Sequence, residues 1–165
     1  IDFLQKEINL IGSLLVLPGH GFTSCRLFSG IGVSDDNSVM LSPELYKDIC
    51  IPFMEYLGEH FNGIAFHSCG NWSSKIDVIK KIKGLVMVDG AYTAETDPDP
   101  NPIEPFVKGF AHTGICINAR MVGDPEKVRT LIPNFTAKGL KRILVTYCTT
   151  PEEQKSIYET IHGMA

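Results

Sequence analysis

The chain has 165 residues, 44% of them hydrophobic and 21% charged, with a formal net charge of −4. That length suits one domain with one core, and the composition excludes a disordered, collagen-like or coiled-coil chain as the whole account. The acidic balance lacks the basic footprint of a nucleic-acid binder, and no apolar run approaches the roughly 18 residues of a membrane span.

In chain order, Phe3, Leu4, Ile8 and Ile11 recur at helical spacing, so residues 1–12 are expected to form a helix. Residues 14–30, with Gly19, Gly21 and Ser24, read as loop. The expected division is therefore an N-terminal helix and loop over 1–30 and an α/β unit over 31–165. Ile31–Ser34 reads as a short strand. Ser42-Pro43 is a helix start, with Ser as N-cap and Pro in the first turn. Leu45, Ile49, Phe53, Leu57 and Phe61 then recur every four residues as a core-facing stripe, with a kink expected at Pro52 and an end at Asn62-Gly63.

A strand over residues 64–69 follows. A helix over 73–83 should turn Ile76, Ile79 and Ile82 inward and its lysines (75, 80, 81, 83) to solvent. Leu85–Asp89 is nearly continuously apolar, as in a strand covered on both faces. Residues 96–105 hold four prolines and form a loop before another helical piece. Residues 115–118 and 142–147 complete the strands, with helices from Asp124-Pro125 to Gly139 and from Thr150-Pro151 to about His162. Alternating strands and helices imply a parallel sheet, either doubly wound or a (β/α)₈ barrel. No GxGxxG or P-loop supports a nucleotide-binding sheet.

Asp35, His67, Cys69, Asp89, Asn118 and Cys148 all fall at or just past C-terminal strand ends, which form the active face of a parallel barrel. His67 and Cys69, two residues apart, can reach one ion. Cys148 stands beyond a later strand at the same rim. One imidazole and two thiolates suit Zn²⁺ and leave a position open, as a catalytic zinc needs. Asp89 is a fourth oxygen ligand or a base. Asp35-Asp36 is a solvated turn or a site element. Arg120, beside Asn118, either holds an anionic substrate tail or makes a surface ion pair. Trp72 and Tyr92 line a pocket or simply pack. Cys25, Cys50 and Cys116 read as core or incidental. The five cysteines are odd in number and irregularly spaced, which argues for reduced thiols in a cytoplasmic protein.

The run Ser34-Asp35-Asp36-Asn37-Ser38-Val39-Met40-Leu41-Ser42-Pro43-Glu44-Leu45-Tyr46, then Pro52, His67-Ser68-Cys69-Gly70-Asn71 and Thr146-Tyr147-Cys148-Thr149-Thr150-Pro151-Glu152-Glu153, resembles the uroporphyrinogen decarboxylase-like superfamily. Within it, the resemblance is to the zinc methyltransferase branch that includes methylcobamide:coenzyme M methyltransferases. It covers about residues 30–163. It implies the C-terminal part, about five βα units, of a (β/α)₈ barrel. It also implies zinc held by His67, Cys69 and Cys148, and transfer of a methyl group from a corrinoid on a partner protein to a small thiol. Asp89, Asp35 and Asn71 would then assist catalysis, with Asp36, Asn118, Arg120 and Tyr92 around the substrate. The substrate-binding arginine motifs of the decarboxylase proper are absent from this sequence. A metal-free tetrapyrrole decarboxylase and an inactive barrel fragment are the rival expectations. The first residue, Ile1, and the strand count lead us to expect a chain that starts upstream, completed by a missing N-terminal half or by a homodimer.

Overall fold

The computed structural model describes residues 1–11, 30–122 and 125–163. Residues 14–29 of the loop expected over 14–30, and the helix start at Asp124, lie outside these. Helix α1 spans Asp2–Ile11, and none of its residues is buried. After it, five strands alternate with helices: β1 (Ile31–Ser34), β2 (Ile64–His67), β3 (Leu85–Ala91), β4 (Cys116–Val122) and β5 (Lys141–Tyr147). All neighbouring pairs are parallel, in the order β1-β2-β3-β4-β5. A doubly wound sheet reverses its strand order at a switch point. This sheet does not, and uniformly right-handed crossovers then stack the connecting helices on one face.

That face carries the core. Phe66, Val88, Ile117 and Ala119 alternate along their strands and pack with Trp72, Ile79, Phe106 and Phe110 from the covering segments. Trp72 anchors it, with ring centroids 5.3 Å from Phe66 and 4.4 Å from Phe106. Because strand side chains alternate, the residues between these point to the other face. Register there sets His67 beside Asp89, and Asp89 beside Asn118.

Ser42 caps α2 (Pro43–Ile49), its Oγ accepting from the Leu45 amide at 3.2 Å. The expected kink is a full break: α2 ends at Ile49 and α3 (Ile51–Phe61) begins after Cys50, because Pro52 has no N–H to continue the ladder. Asn62 closes α3 in the left-handed conformation, φ 62°. The stripe read as core-facing needs correction. Its last members do face the core, Phe61 buried and Leu57 packed against it, but Leu45, Ile49 and Phe53 are 51%, 52% and 69% exposed and Tyr46, Met54 and Gly58 are buried in their place. The cause is Gly58. A Cβ there would lie 3.1 Å from the Lys83 carbonyl oxygen and 3.3 Å from Ile64, so α3 seats its glycine face against the sheet.

The helix expected over 73–83 is also shorter. A 3₁₀ turn at Ser73–Lys75 leads into α4 (Ile76–Ile79), after which single turns run to Gly84. The β-branched Ile76, Val78 and Ile79 have weak helix propensity, although Ile76, Ile79 and Ile82 do face inward. Lys75, expected in solvent, is buried at 3% exposure. It lies in the turn rather than on a helix face, and burial lowers its ammonium's pKa.

Helix α5 (Ile103–Phe110) leads to β4. Helix α6 (Pro125–Leu131) gives way to a 3₁₀ turn at Ile132–Phe135. Helix α7 (Pro151–Gly163) starts at a reciprocal cap: Thr150 Oγ1 accepts from the Glu153 amide, and Glu153 Oε2 accepts from the Thr149 and Thr150 amides. No helix among the described residues is long and apolar enough to cross a membrane.

Candidate functional site

Strand β2 ends at His67, which is fully buried. Its Nδ1 lies 2.5 Å from Asp89 Oδ2. Asp89, also fully buried, sits one strand over on β3 and accepts from β4 as well. Asn118 Nδ2 donates to its Oδ1 at 2.5 Å and Arg120 Nε to its Oδ2 at 2.9 Å. Three adjacent strands thus converge on one buried carboxyl group, whose oxygens are met by the Arg120 guanidinium, the Asn118 amide and the His67 ring, as burial of such a group requires. Burial opposes the Arg120 charge, but Asp89 and the Tyr147 phenol outweigh it, so the guanidinium holds its proton above its ordinary value.

The other ring nitrogen faces a different group. Cys69 Sγ and Asp36 Oδ1 each lie 3.5 Å from His67 Nε2. Asp36 Oδ1 also accepts the Cys69 amide at 2.8 Å. The ligand atoms of Asp36, His67 and Cys69 all lie within 4.8 Å of one another. Imidazole, thiol and carboxylate form a donor set suited to a borderline cation such as Zn²⁺, with room for a further ligand. Burial, followed by the Asp36 carboxylate, raises the Cys69 thiol's pKa, a bias that a bound cation would reverse.

The loop bearing Cys69 is tied down. Gly70, at φ +73°, turns the chain out of line with β2, and its amide donates to Asp97 Oδ2 at 2.9 Å. Asn101 accepts the Trp72 amide at 2.9 Å and donates to the Gly70 carbonyl at 3.1 Å. Ser38 and Ser68 share a buried hydroxyl contact of 2.7 Å. Asp97, Asn101 and Ser38 were not singled out from the sequence. The two in the loop sit in a proline-rich stretch whose composition says "loop" and nothing of burial, although Asn101 is only 3% exposed.

The acidic pair divides its tasks. Asp35 turns to α2 and accepts the Tyr46 hydroxyl at 3.0 Å, while Asp36 turns to His67 and Cys69. Burial and Asp35 together hold the Tyr46 phenol well above its usual pKa. Asp89, expected as an oxygen ligand or base, lies on the Nδ1 side of the imidazole, opposite the donor cluster. Asn71 closes a local turn, accepting from the Ser73 amide and hydroxyl. Tyr92 packs between Phe106 and Phe135, ring centroids 5.3 and 4.8 Å away, and its buried hydroxyl finds no hydrogen-bond partner among the described residues.

Cys148 does not join the cluster of Asp36, His67 and Cys69. It follows β5 directly, 3.8 Å from Thr146 Oγ1, and packs against the group formed by Val128, Ile132 and Ile157. There it helps line an open cavity of about 520 Å³ between β5 and α7.

Comparison with family models, with curated proteins and with solved structures finds no match to this chain.

Proposed function

We propose that the chain is the C-terminal part of a uroporphyrinogen decarboxylase-like (β/α)₈ barrel whose site transfers a methyl group from a corrinoid to a small thiol, with zinc as its cofactor. The convergence of His67, Cys69 and Asp36, with His67 held from behind by Asp89, carries the proposal. A carboxylate on the far nitrogen of a ligating imidazole is the usual way a metal-binding histidine is oriented. Strand order supports the barrel reading: five parallel strands in unbroken sequence would form an arc of the eight that close such a fold. The resemblance would make Cys148 the second thiolate; its side chain packs instead against Val128, Ile132 and Ile157, apart from His67 and Cys69, so ligation would require it to move.

Bound zinc would lower the pKa of a substrate thiol and keep its sulfur nucleophilic. The residues of the chain do the rest. Asp89, Asn118 and Arg120 fix the plane of the His67 ring. Asp97 and Asn101 hold the Cys69 loop. The buried strand ends exclude water from one side of the site, and rigid placement shortens the search for a reactive geometry. The methyl donor in this scheme is carried by a partner protein.

Metal analysis tests the proposal. After expression with added zinc, the purified protein should hold about one zinc per chain, as a mononuclear site does. His67→Ala, Cys69→Ala and Cys148→Ala should each lower that content, and Cys50→Ala should not. The wild-type protein should also demethylate methylcobalamin in the presence of a small thiol. Zinc content well below stoichiometric in the wild type would overturn the proposal. A site emptied by Cys50→Ala but left full by Cys148→Ala would overturn the ligand set.

A further inference from the structure

We infer that two copies of the chain associate by exchanging α1, each copy's α1 laying its apolar face along the outer side of the other copy's α2 and α3. The inference stands apart from the metal reading. Among the described residues, eleven of the fourteen exposed large apolar side chains fall within residues 1–11 or 39–56. No residue of α1 is buried, and Phe3 and Leu10 are 71% and 88% exposed. An isolated helix of ten residues is marginal in water, so α1 needs a surface to pack on. Its own copy does not supply one, because α1 and the outer side of α2–α3 are both left uncovered within the single chain.

The two surfaces match in form and extent. Leu45, Ile49, Phe53 and Tyr56 make an outward row along α2–α3. Helical bonding carries through the junction, the Cys50 amide donating to the Tyr46 carbonyl and the Met54 amide to the Cys50 carbonyl. At about 1.5 Å per residue, that row is about 16 Å long and the ten-residue α1 about 15 Å. With about 150 Å² for a fully exposed large side chain, the low end for an aromatic ring, the eleven side chains expose about 900 Å² per copy. A patch of that size exceeds what a typical monomer leaves in water. Reciprocal exchange closes at two copies and offers the surface twice, so covering half of it removes about 900 Å² of apolar area. At roughly 60% apolar content the whole interface comes to about 1,500 Å², inside the range of about 1,200–2,000 Å² for specific, stable association.

Analytical ultracentrifugation of the full chain tests this. At tens of micromolar the wild type should sediment as two copies and separate on dilution. Phe3→Asp and Phe53→Lys should each weaken association by about tenfold or more, because each sets a charge in an apolar contact that occurs twice per dimer. Mixed together, the two variants should associate more tightly than either does alone. The mixed pair holds one unaltered contact and one in which a carboxylate faces an ammonium, an outcome that only exchange between α1 and α2–α3 produces. Tyr158→Asp, on the exposed side of α7, should leave association unchanged. Below micromolar concentration, where copies are apart, the urea midpoint of each variant should match wild type, which separates loss of contact from damage to the fold. Ile49→Lys replaces Phe53→Lys if that variant fails this check. A wild type that stays monomeric throughout overturns the inference. So does a Phe3→Asp or Phe53→Lys variant that pairs as wild type does, or a mixture no tighter than its components.

Discussion

Asp89 and Arg120 form a buried pair whose strength can be measured apart from any metal. Both are nearly inaccessible, at 0% and 5% exposure, and Arg120 Nε donates to Asp89 Oδ2 at 2.9 Å. Asp89→Leu strands the guanidinium in the interior and removes the acceptor used by His67 and Asn118. Arg120→Met strands the carboxylate, partly relieved by those same two donors. Removing one member of a buried pair costs about 3–5 kcal/mol, whereas removing both in favour of apolar groups of similar size is often close to neutral. The cost to His67 and Asn118 is common to Asp89→Leu and the double variant, so it cancels in a double-mutant cycle. A coupling of about 2–3 kcal/mol should remain, near the upper end for residues in direct contact. Urea unfolding reads it. With a slope of about 1–3 kcal/mol per molar, each single variant should lose at least about 1 M in midpoint, and the double variant should fall well short of the summed losses. Asp89→Asn keeps one acceptor oxygen and serves if the leucine variant is too unstable to titrate. Single losses that add to within about 0.5 kcal/mol would show that the pair is not coupled, and the account of Asp89 as the hub of three strands would fall.

Lys75 supplies a pH-dependent prediction. Burial lowers its folded-state pKa below the ordinary value of 10.5, so the native state binds its proton less well than the unfolded chain does. Stability therefore rises with pH through the window between the lowered value and 10.5. Lys75→Met should stabilise the protein at neutral pH, with the gain shrinking as pH nears 10.5; a gain in urea midpoint that stays constant across that window would refute this. The two faces of α3 provide a second comparison. Met54→Ala should cost about 2–5 kcal/mol as a core truncation, while the exposed Phe53→Ser should change the urea midpoint by less than the equivalent of about 0.5 kcal/mol. Equal losses would mean that α3 packs by the face its four-residue periodicity suggested.

The partial reversal along α2 and α3, where Leu45, Ile49 and Phe53 turn outward, shows where sequence periodicity stops being informative. The strands were legible because each is a short apolar or β-branched run bounded by a turn signal, and all five lie within a residue or a few of their expected positions. The Ser42 cap and the Thr150–Glu153 cap were legible for the same reason: capping is local, and its residue types sit at fixed offsets. Which side of a helix meets the sheet is not local. Helices α2 and α3 carry apolar residues on two sides, and the choice fell to Gly58, whose missing Cβ permits the close approach to Ile64 and Lys83. Lys75 was misjudged in the same way, since a lysine in a helix pattern is expected in solvent and only the early turn at Ser73 carries it inside.

The site divides along the same line. That His67 and Cys69 could meet one ligand followed from two-residue spacing alone, and the 3.5 Å contact between Nε2 and Sγ agrees with it even though Cys69 lies beyond the end of β2. That Asp89 and Asn118 lie near His67 followed from their place at strand ends. Which nitrogen each carboxylate meets did not, because it depends on register across three strands and on the path of the β1 loop. Register sets Asp89 directly beside His67, within reach of Nδ1. The hydrogen bond from the Asp35 amide to the His67 carbonyl extends the β1–β2 ladder by one residue, and Asp36 then crosses to Nε2. The two acidic residues therefore hold opposite positions about one imidazole, the buried one orienting the ring and the exposed one completing the donor set. A single chain of residue types cannot distinguish those tasks, but their exposures, 0% and 55%, do.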